Sequence, residues 1–434
     1  MKKFICSLLV AISYLWVTPA TSHATSNLVV MSRNIYLGAD VGKALALIPD
    51  LPAAAQFMWD QMRKTDFNAR AKLLAKEISQ NQPDVIGIQE ATTWKCQKNL
   101  WSKKTTVYDF IDILLNQLSG KYEVAEFENT KAYNPGFSIS PIPYLTKVND
   151  PEIFQKIFSQ DNAFCGFETG DALIVKKQLQ SEVINLGNTE YEATYSIVPT
   201  LMTIYRGYTW ADIKINGTPI RFITTHLESL WDENKLPNSA KQAGQLIADT
   251  SNTKMPLVVM GDFNSDPRDP RGKKSLNPGE QPVESLNCPL SSPTCNAYKL
   301  MIDSGFVDAG PNSLDPNNFT WGMNAQLTGP DLERKSAAQK LGNQFGFTDR
   351  LDYIFVKNNL EINSTKIIGV NPPYASDHAG VVASLAIDNA ENLISPALAA
   401  HEPFPISFWQ WVGIFLFSLL TWVFWRRHNR NLRR

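Results

Sequence analysis

A mixed-sheet α/β sandwich is the fold this sequence predicts, on three observations. Short apolar runs such as Leu28-Val29-Val30-Met31, Val85-Ile86-Gly87-Ile88 and Leu257-Val258-Val259-Met260 have the length and composition of buried strands. Between them lie segments whose apolar residues recur at helical spacing. Asn216-Gly217, set between two strand-like runs, is a hairpin signal. Interleaving alone would suit a purely parallel sheet with helices on both faces; hairpins among the strands favour mixed sheets.

The elements follow in chain order. Residues 28–31 open the core. Residues 66–79 place Phe67, Ala71, Leu74 and Ile78 on one helical face, with Thr65 or Asp66 as cap. Residues 84–89 are the next strand. The spacing of Phe110, Leu114 and Leu118 predicts a helix over 106–118 that stops at Gly120. Strands are expected at 172–175, 209–215, 220–225 and 257–260, a helix at 239–249, and closing strands at 351–356 and 381–387. Two segments read as insertions. Residues 129–167 carry Tyr133, Phe137, Tyr144, Phe154, Phe158 and Phe164 among several prolines. These aromatics either touch a base or a lipid, or pack a small core of the loop's own. Residues 267–295, rich in Pro, Ser, Asn and Gly, read as a surface excursion.

The 434 residues, 44% hydrophobic and 19% charged, argue against general disorder and allow one large domain with accessories. Residues 1–24 have a basic start, an apolar stretch and small residues before Ala24, as a secretory signal does; an uncleaved anchor is the alternative. Residues 27–388 are expected to form the folded domain and residues 389–405 a linker. Residues 406–425 are long and apolar enough to span a bilayer, with tryptophans near both ends. The arginines of 426–434 would stay cytoplasmic, so the chain is expected to be exported and membrane-anchored, its folded domain on the extracytoplasmic side. A C-terminal sorting signal is the rival reading of that helix. Without the ends, residues 25–401 hold 34 basic and 41 acidic side chains, a net of about −7. That is not the usual footprint of a tight nonspecific nucleic-acid binder. Four cysteines follow the signal: Cys96, Cys165, Cys288 and Cys295. Outside the cytoplasm they suggest two disulfides. Cys288 and Cys295 can close a local loop, leaving Cys96 with Cys165, although three pairings are formally open.

Six fragments carry the chemistry: Ser32-Arg33-Asn34, Gln89-Glu90, Thr225-His226-Leu227-Glu228, Gly261-Asp262-Phe263-Asn264, Arg350-Leu351-Asp352-Tyr353 and Ser376-Asp377-His378. Most adjoin an apolar run, so they place carboxylates, Asn and His at strand edges. An oxygen-rich site of this kind holds a divalent cation such as Mg²⁺ against a phosphate, with Mn²⁺ a workable substitute. Glu90, ending an apolar strand, is the leading metal ligand; Asn34 offers a neutral oxygen beside it if their two strands pair, and Asp377 is a further candidate for the metal or the hydrogen-bond network. Asp262 and Asn264, two apart, can face one point if the segment is extended, but an Asx turn explains them equally well. His226 and His378 are the only histidines of residues 27–388. Either can exchange a proton or stabilise charge on phosphorus. Arg206 can reach a phosphate oxygen or make a structural ion pair.

In order and wording these fragments resemble the endonuclease/exonuclease/phosphatase superfamily, the DNase I-like metal-dependent phosphodiesterases, over roughly residues 28–387. Residues 33–40 resemble its bacterial, secreted-type branch. The resemblance implies four layers, with two mixed sheets face to face, helices outside and the site at one rim. It implies that Asp262 orients or deprotonates the attacking water, that Asn264 donates to a phosphate oxygen, and that Asp352 orients His378. Thr225-His226-Leu227 is closer to the DNase I and sphingomyelinase branches than to the apurinic-site endonucleases. Asp171 stands where relatives often carry Asn, as a substrate-contacting residue. The expected substrate is a phosphodiester, in nucleic acid or a phospholipid headgroup. A small-molecule phosphatase and an inactive binding protein are the alternatives, the latter disfavoured because Glu90, Asp262 and His378 are all present.

Overall fold

A computed structural model of the chain describes residues 26–138, 146–198, 202–230, 236–269, 295–322, 327 and 332–387. Its main strands are β1 (Ser26–Asn34), β2 (Val85–Gln97), β3 (Tyr122–Val124), β4 (Asn162–Lys176), β5 (Val183–Glu190), β6 (Gly207–Ile215), β7 (Thr218–His226), β8 (Leu257–Asp262), β9 (Val307–Asp308), β10 (Asp352–Lys357), β11 (Leu360–Ile368) and β12 (Gly380–Ile387). One sheet runs β11–β12–β1–β2–β4–β3, with three short strands beside β2 and β4; the other runs β5–β6–β7–β8–β10–β9.

Each sheet contains one parallel pair, β1 with β2 and β7 with β8. Every other pairing along the two paths is antiparallel. The sheets are therefore mixed, as the hairpin at Asn216-Gly217 requires; both of its residues have positive φ, +50° and +84°. The parallel pairs need crossovers, and helices supply them. Between β1 and β2 lie α1 (Val41–Leu45), α2 (Leu51–Lys64) and α3 (Phe67–Asn81). Farther on come α4 (Phe110–Gln117) and α5 (Pro151–Phe158); α6 (Asn238–Thr250) joins β7 to β8, and α7 (Ala297–Asp303) follows β8.

Three apolar clusters give four layers. Leu28, Val30 and Leu173 from the first sheet meet Phe222, Val258 and Ile354 from the second. On the first sheet's outer face, Met31, Ile86 and Ile88 pack under Trp59, Leu74, Ile78 and Phe110 from α2, α3 and α4. On the second sheet's outer face, Val259 and Phe355 pack under Leu246 and Met301 from α6 and α7. Gly87 lets the sheets close up: a Cβ there would lie 2.8 Å from Met260 Cβ.

Most expected elements form, with three corrections. The helix expected over 106–118 begins only at Phe110: Thr105–Asp109 pairs with β2 as a strand, and Asp109 caps the helix by accepting from Asp112 N at 3.1 Å. Residues 51–64, unassigned by periodicity, form a helix capped by Asp50 that buries Met58, Trp59 and Met62. The strand expected to end at Gln89 runs on to Gln97. In the aromatic insertion, Phe154 is fully buried, 5.1 Å from the ring of Trp59. At that residue the insertion packs a core. Cys96 and Cys165 are disulfide-bonded across β2 and β4. Cys295 is also in a disulfide, its partner lying outside the described residues, as do the expected signal and residues 389–434. Among the described residues no helix is long and apolar enough to cross a membrane.

Candidate active site

Both parallel pairs end at one rim, and their antiparallel neighbours begin there. Asn34, His226 and Asp262 are the last residues of β1, β7 and β8; Asp352 opens β10, and His378 stands two residues before β12. Strand ends are where such sheets leave backbone and side chains uncovered for a ligand. The ten expected site residues, contributed by both sheets, meet at this seam.

Asn34 bridges the sheets. Its Nδ2 donates to Glu90 Oε1 and to Asp262 Oδ2, both at 3.1 Å, while its Oδ1 accepts from Tyr36 N at 2.9 Å. The amide thus presents hydrogens, not its oxygen, between two carboxylates, where a cation would be welcome. Glu90 does not end its strand. It sits in a bulge where register shifts between Gln89 and Ala91, with φ +58°, and the backbone N–H of Leu37 donates to its Oε2. A bulge re-aims a side chain that would otherwise stay in the pleat. Just behind, Gln89 Nε2 donates to Thr224 Oγ1 at 2.9 Å, tying the sheets together.

The two imidazoles are set in opposite ways. His378 Nδ1 faces Asp352 Oδ2 at 2.9 Å, and its Nε2 lies 3.5 Å from Asp262 Oδ2. Burial alone would lower its pKa, but Asp352, Asp262 and Asp377 overcome this and hold it at about 10. His378 is therefore an imidazolium at neutral pH. His226 is also buried, but Arg206 Nη1 stands 3.1 Å from its Nδ1 and His378 is a second cation nearby. Burial, Arg206 and His378 all push it well below its ordinary value, so His226 is neutral. A guanidinium has no acceptor form, which leaves Nδ1 bare and puts the ring proton on Nε2. Nε2 lies 3.4 Å from Asp262 Oδ2. Asn264 Nδ2 also lies 3.0 Å from it and donates to Leu227 O at 2.8 Å. A neutral ring cannot accept from both Arg206 and Asn264, and the permanently charged Arg206 decides the tautomer.

Asn264 N donates to Asp262 Oδ1 at 2.9 Å, with Asn264 at φ +43°. The turn and the shared aim coexist. Asp377 is raised by burial and by Glu90, against the pull of His378 and Arg70. Asp171, opposite Gln89 in the sheet, is raised to about 8 by burial, against Arg206. Its Oδ1 is buried without a hydrogen-bond partner, as is Asp352 Oδ1. Arg206 also pairs with Glu228 at 3.1 Å. Arg350 is wholly buried, donates to Asn318 O at 3.0 Å and lies 3.9 Å from Asp308, a structural position.

Several neighbours had no role assigned from the sequence, although Arg33 and Glu228 lie within its six fragments. Arg70, 3% exposed, donates to Ile35 O, Tyr36 O and Ala375 O and so braces the segments carrying Asn34 and Asp377. Its signal was a charge on the apolar stripe of α3, between Phe67 and Leu74. Glu228, two residues past His226, anchors Arg206. Arg33 Nη1 donates to His378 O while its Nε pairs with Glu77 at 2.9 Å. Tyr36 is buried at φ +58°, its hydroxyl without a partner near Asp377 and Glu90.

For a cation, two places compete. Asp262, Asp352 and His378 bring ligand atoms within 4.8 Å of one another. An imidazolium there disfavours a second positive charge. The Glu90 side, with Asp262, is the better fit to a hard cation, because its ligand atoms are carboxylate oxygens and the Asn34 NH2 stands between them where a cation's charge would.

The fold and the site define a class: a two-sheet α/β sandwich with carboxylates and two imidazoles at the seam of the strand ends. The family model for the endonuclease/exonuclease/phosphatase family matches residues 34–378, and the chain belongs to that family. Members are hydrolases that act on phosphoester bonds. Solved structures that resemble it include a family protein from Leptotrichia buccalis, 17% identical over 83% of this chain and 100% of that one, with a TM-score of 0.44. A family protein from Beutenbergia cavernae is 16% identical over 83% and 72%, with a TM-score of 0.48. A mannosyl-6-phosphatase from Bacteroides thetaiotaomicron is 13% identical over 83% and 100%, with a TM-score of 0.42. No curated protein matches the chain.

Proposed function

We propose that this chain hydrolyses a phosphodiester outside the cytoplasm, with a divalent cation, Mg²⁺ or Mn²⁺, and while anchored at a membrane through residues 406–425. The observation that carries the reading is the opposed setting of the two imidazoles about Asp262: one a buried cation, the other held neutral. A phosphoryl group placed between them meets a positive charge from His378 and a hydrogen-bond donor from His226 Nε2. Asp262, within 3.5 Å of both rings, is the group to orient a water and take its proton. Asn264 adds an amide donor on the His226 side. Asp352 keeps His378 charged and turned; Arg206 keeps His226 neutral and is itself held by Glu228. Asp171 faces the same space as a substrate contact. A bound cation, held chiefly by Glu90 with Asp262, Asn34 and Asp377 nearby, would add positive charge against the phosphate oxygens and acidify a water.

The test is an assay of the chain with Mg²⁺, with and without EDTA, on an aryl phosphodiester, the matching monoester, plasmid DNA, RNA and phospholipid vesicles containing sphingomyelin. Diester cleavage that EDTA stops is expected, with Glu90→Ala and His378→Ala each lowering turnover by about 10²- to 10⁴-fold, the range of a positioned acid or base. Retained activity in either variant overturns the site. Cleavage of the monoester alone overturns the diesterase reading. The polymer that is cut decides between nucleic acid and a lipid headgroup.

A further inference from the structure

The loop between β2 and the Thr105–Asp109 strand displays an exposed indole. Trp101 is 94% exposed and its neighbour Leu100 46% exposed. The loop that carries them is tied. Ser102 Oγ donates to Asn99 O at 2.9 Å, and Asn99 N to Ser102 Oγ at 3.0 Å. Trp101 N donates to Asn99 Oδ1 at 3.0 Å. Lys98, Lys103 and Lys104 are exposed around it. Gln160 Nε2 donates to Lys98 O at 3.0 Å, which seats the end of α5 at the same tip. That end carries Ile157, 40% exposed, and Lys156. Residues 91–97 extend β2 past the site by roughly 20 Å, at about 3.3 Å per residue. The tip therefore projects from the rim at which the site opens.

We propose that this tip is a contact for an anionic phospholipid surface, with Trp101 and Leu100 among the headgroups and the lysines against lipid phosphates. An indole has an apolar body and one polar edge, and settles at a membrane–water interface. Lysines near an anionic surface each add about 1 kcal/mol, close to a fivefold gain in affinity. The charge pattern supplies direction: residues 25–401 carry a net of about −7, so an anionic surface repels the body and attracts the tip. Nucleic acid is the other macromolecule that binds an aromatic among lysines, but single strands are tracked along grooves with successive stacking platforms. This tip offers one, Trp101. The inference goes beyond the hydrolase reading and stands whether or not the site turns over.

The test uses residues 25–389, which hold all the apolar clusters described above and end at the boundary of the compact unit. This removes residues 1–24 and 406–425, either of which would bind lipid itself. Co-sedimentation is measured with phosphatidylcholine vesicles, with and without phosphatidylglycerol, together with anisotropy of a labelled single-stranded oligonucleotide. Binding is expected only with phosphatidylglycerol, weakening as salt rises. Trp101→Ala should abolish it, and Lys98→Glu with Lys103→Glu should lower affinity by at least about twentyfold. The thermal midpoint and cleavage of a soluble aryl diester should not change, because all three side chains are exposed and remote from the site. Vesicle binding unaffected by these variants overturns the proposal, as does its absence. Oligonucleotide binding that depends on Trp101, with no vesicle binding, overturns it in favour of a nucleic-acid contact.

Discussion

At the residue scale, the candidate site sets chemically alike groups apart. Asp352 accepts from His378 at 2.9 Å and is the leading carboxylate that keeps it charged. Asp352→Asn should therefore lower the pKa of His378. The imidazolium exists below that pKa, so the alkaline limb of the pH–rate profile should move to lower pH. A lower maximum with an unmoved limb would mean that His378 does not act as the cation. Asp171 offers a second check. Its folded pKa, about 8, lies above the ordinary 3.8 because the carboxyl is buried. Folding thus favours the protonated form. That stability is complete below about pH 4 and is lost as pH rises through about pH 8. Asp171→Asn should gain stability over the wild type as the pH climbs between those two values, by about 1.4 kcal/mol for each pH step of one. Urea midpoints across that range measure it, and a pH-independent difference would mean that Asp171 is ionised in the fold.

At the element scale, legibility followed burial. The strands at 28–31, 84–89 and 257–260 read clearly because a strand buried on both faces is a continuous apolar run. The helix at 66–79 read clearly because one stripe does all its packing. Thr105–Asp109 failed because its Tyr and Val also fit a helical spacing, and only pairing with β2 decides the matter. Residues 51–64 failed because Pro and an Ala run dilute the stripe formed by Met58, Trp59 and Met62. The site's membership was readable in the order of its fragments, but its geometry was not. Nothing local marks Glu90 as a bulge, Asn34 as turned amide-first or Arg206 as the neutraliser of His226, since each depends on strands far apart in sequence. The aromatic insertion was ambiguous by composition and is settled at Phe154 by packing. Phe154→Ala should destabilise the fold by about 3–5 kcal/mol, the usual loss for a buried Phe. A thermal melt checks this, and a change below about 1 kcal/mol would return the side chain to a surface role.

At the scale of the whole molecule, the two sheets are close equivalents: each holds one parallel pair flanked by antiparallel strands, and each offers its strand ends to the same rim. Asn34, Glu90, Asp171, Asp377 and His378 come from the first sheet's side; Arg206, His226, Asp262, Asn264 and Asp352 come from the second. Gly87 keeps the halves at their working separation. Gly87→Ala should cut turnover strongly, because a methyl against Met260 and Thr224 acts as a wedge three residues behind Glu90. The far-UV circular dichroism spectrum should barely change. Unchanged turnover would mean that the sheets relax around it without disturbing the rim.

That division of the site has a further consequence. Neither half can report on itself, because the distances from Asn34 to Asp262 and from His378 to Asp262 span two layers that touch mainly through oil. Turnover is then a strain gauge for the seam. In rising urea it should fade while both sheets are still intact by circular dichroism, and the interval between the two curves measures how far the leaves of the molecule can slide before either one unravels.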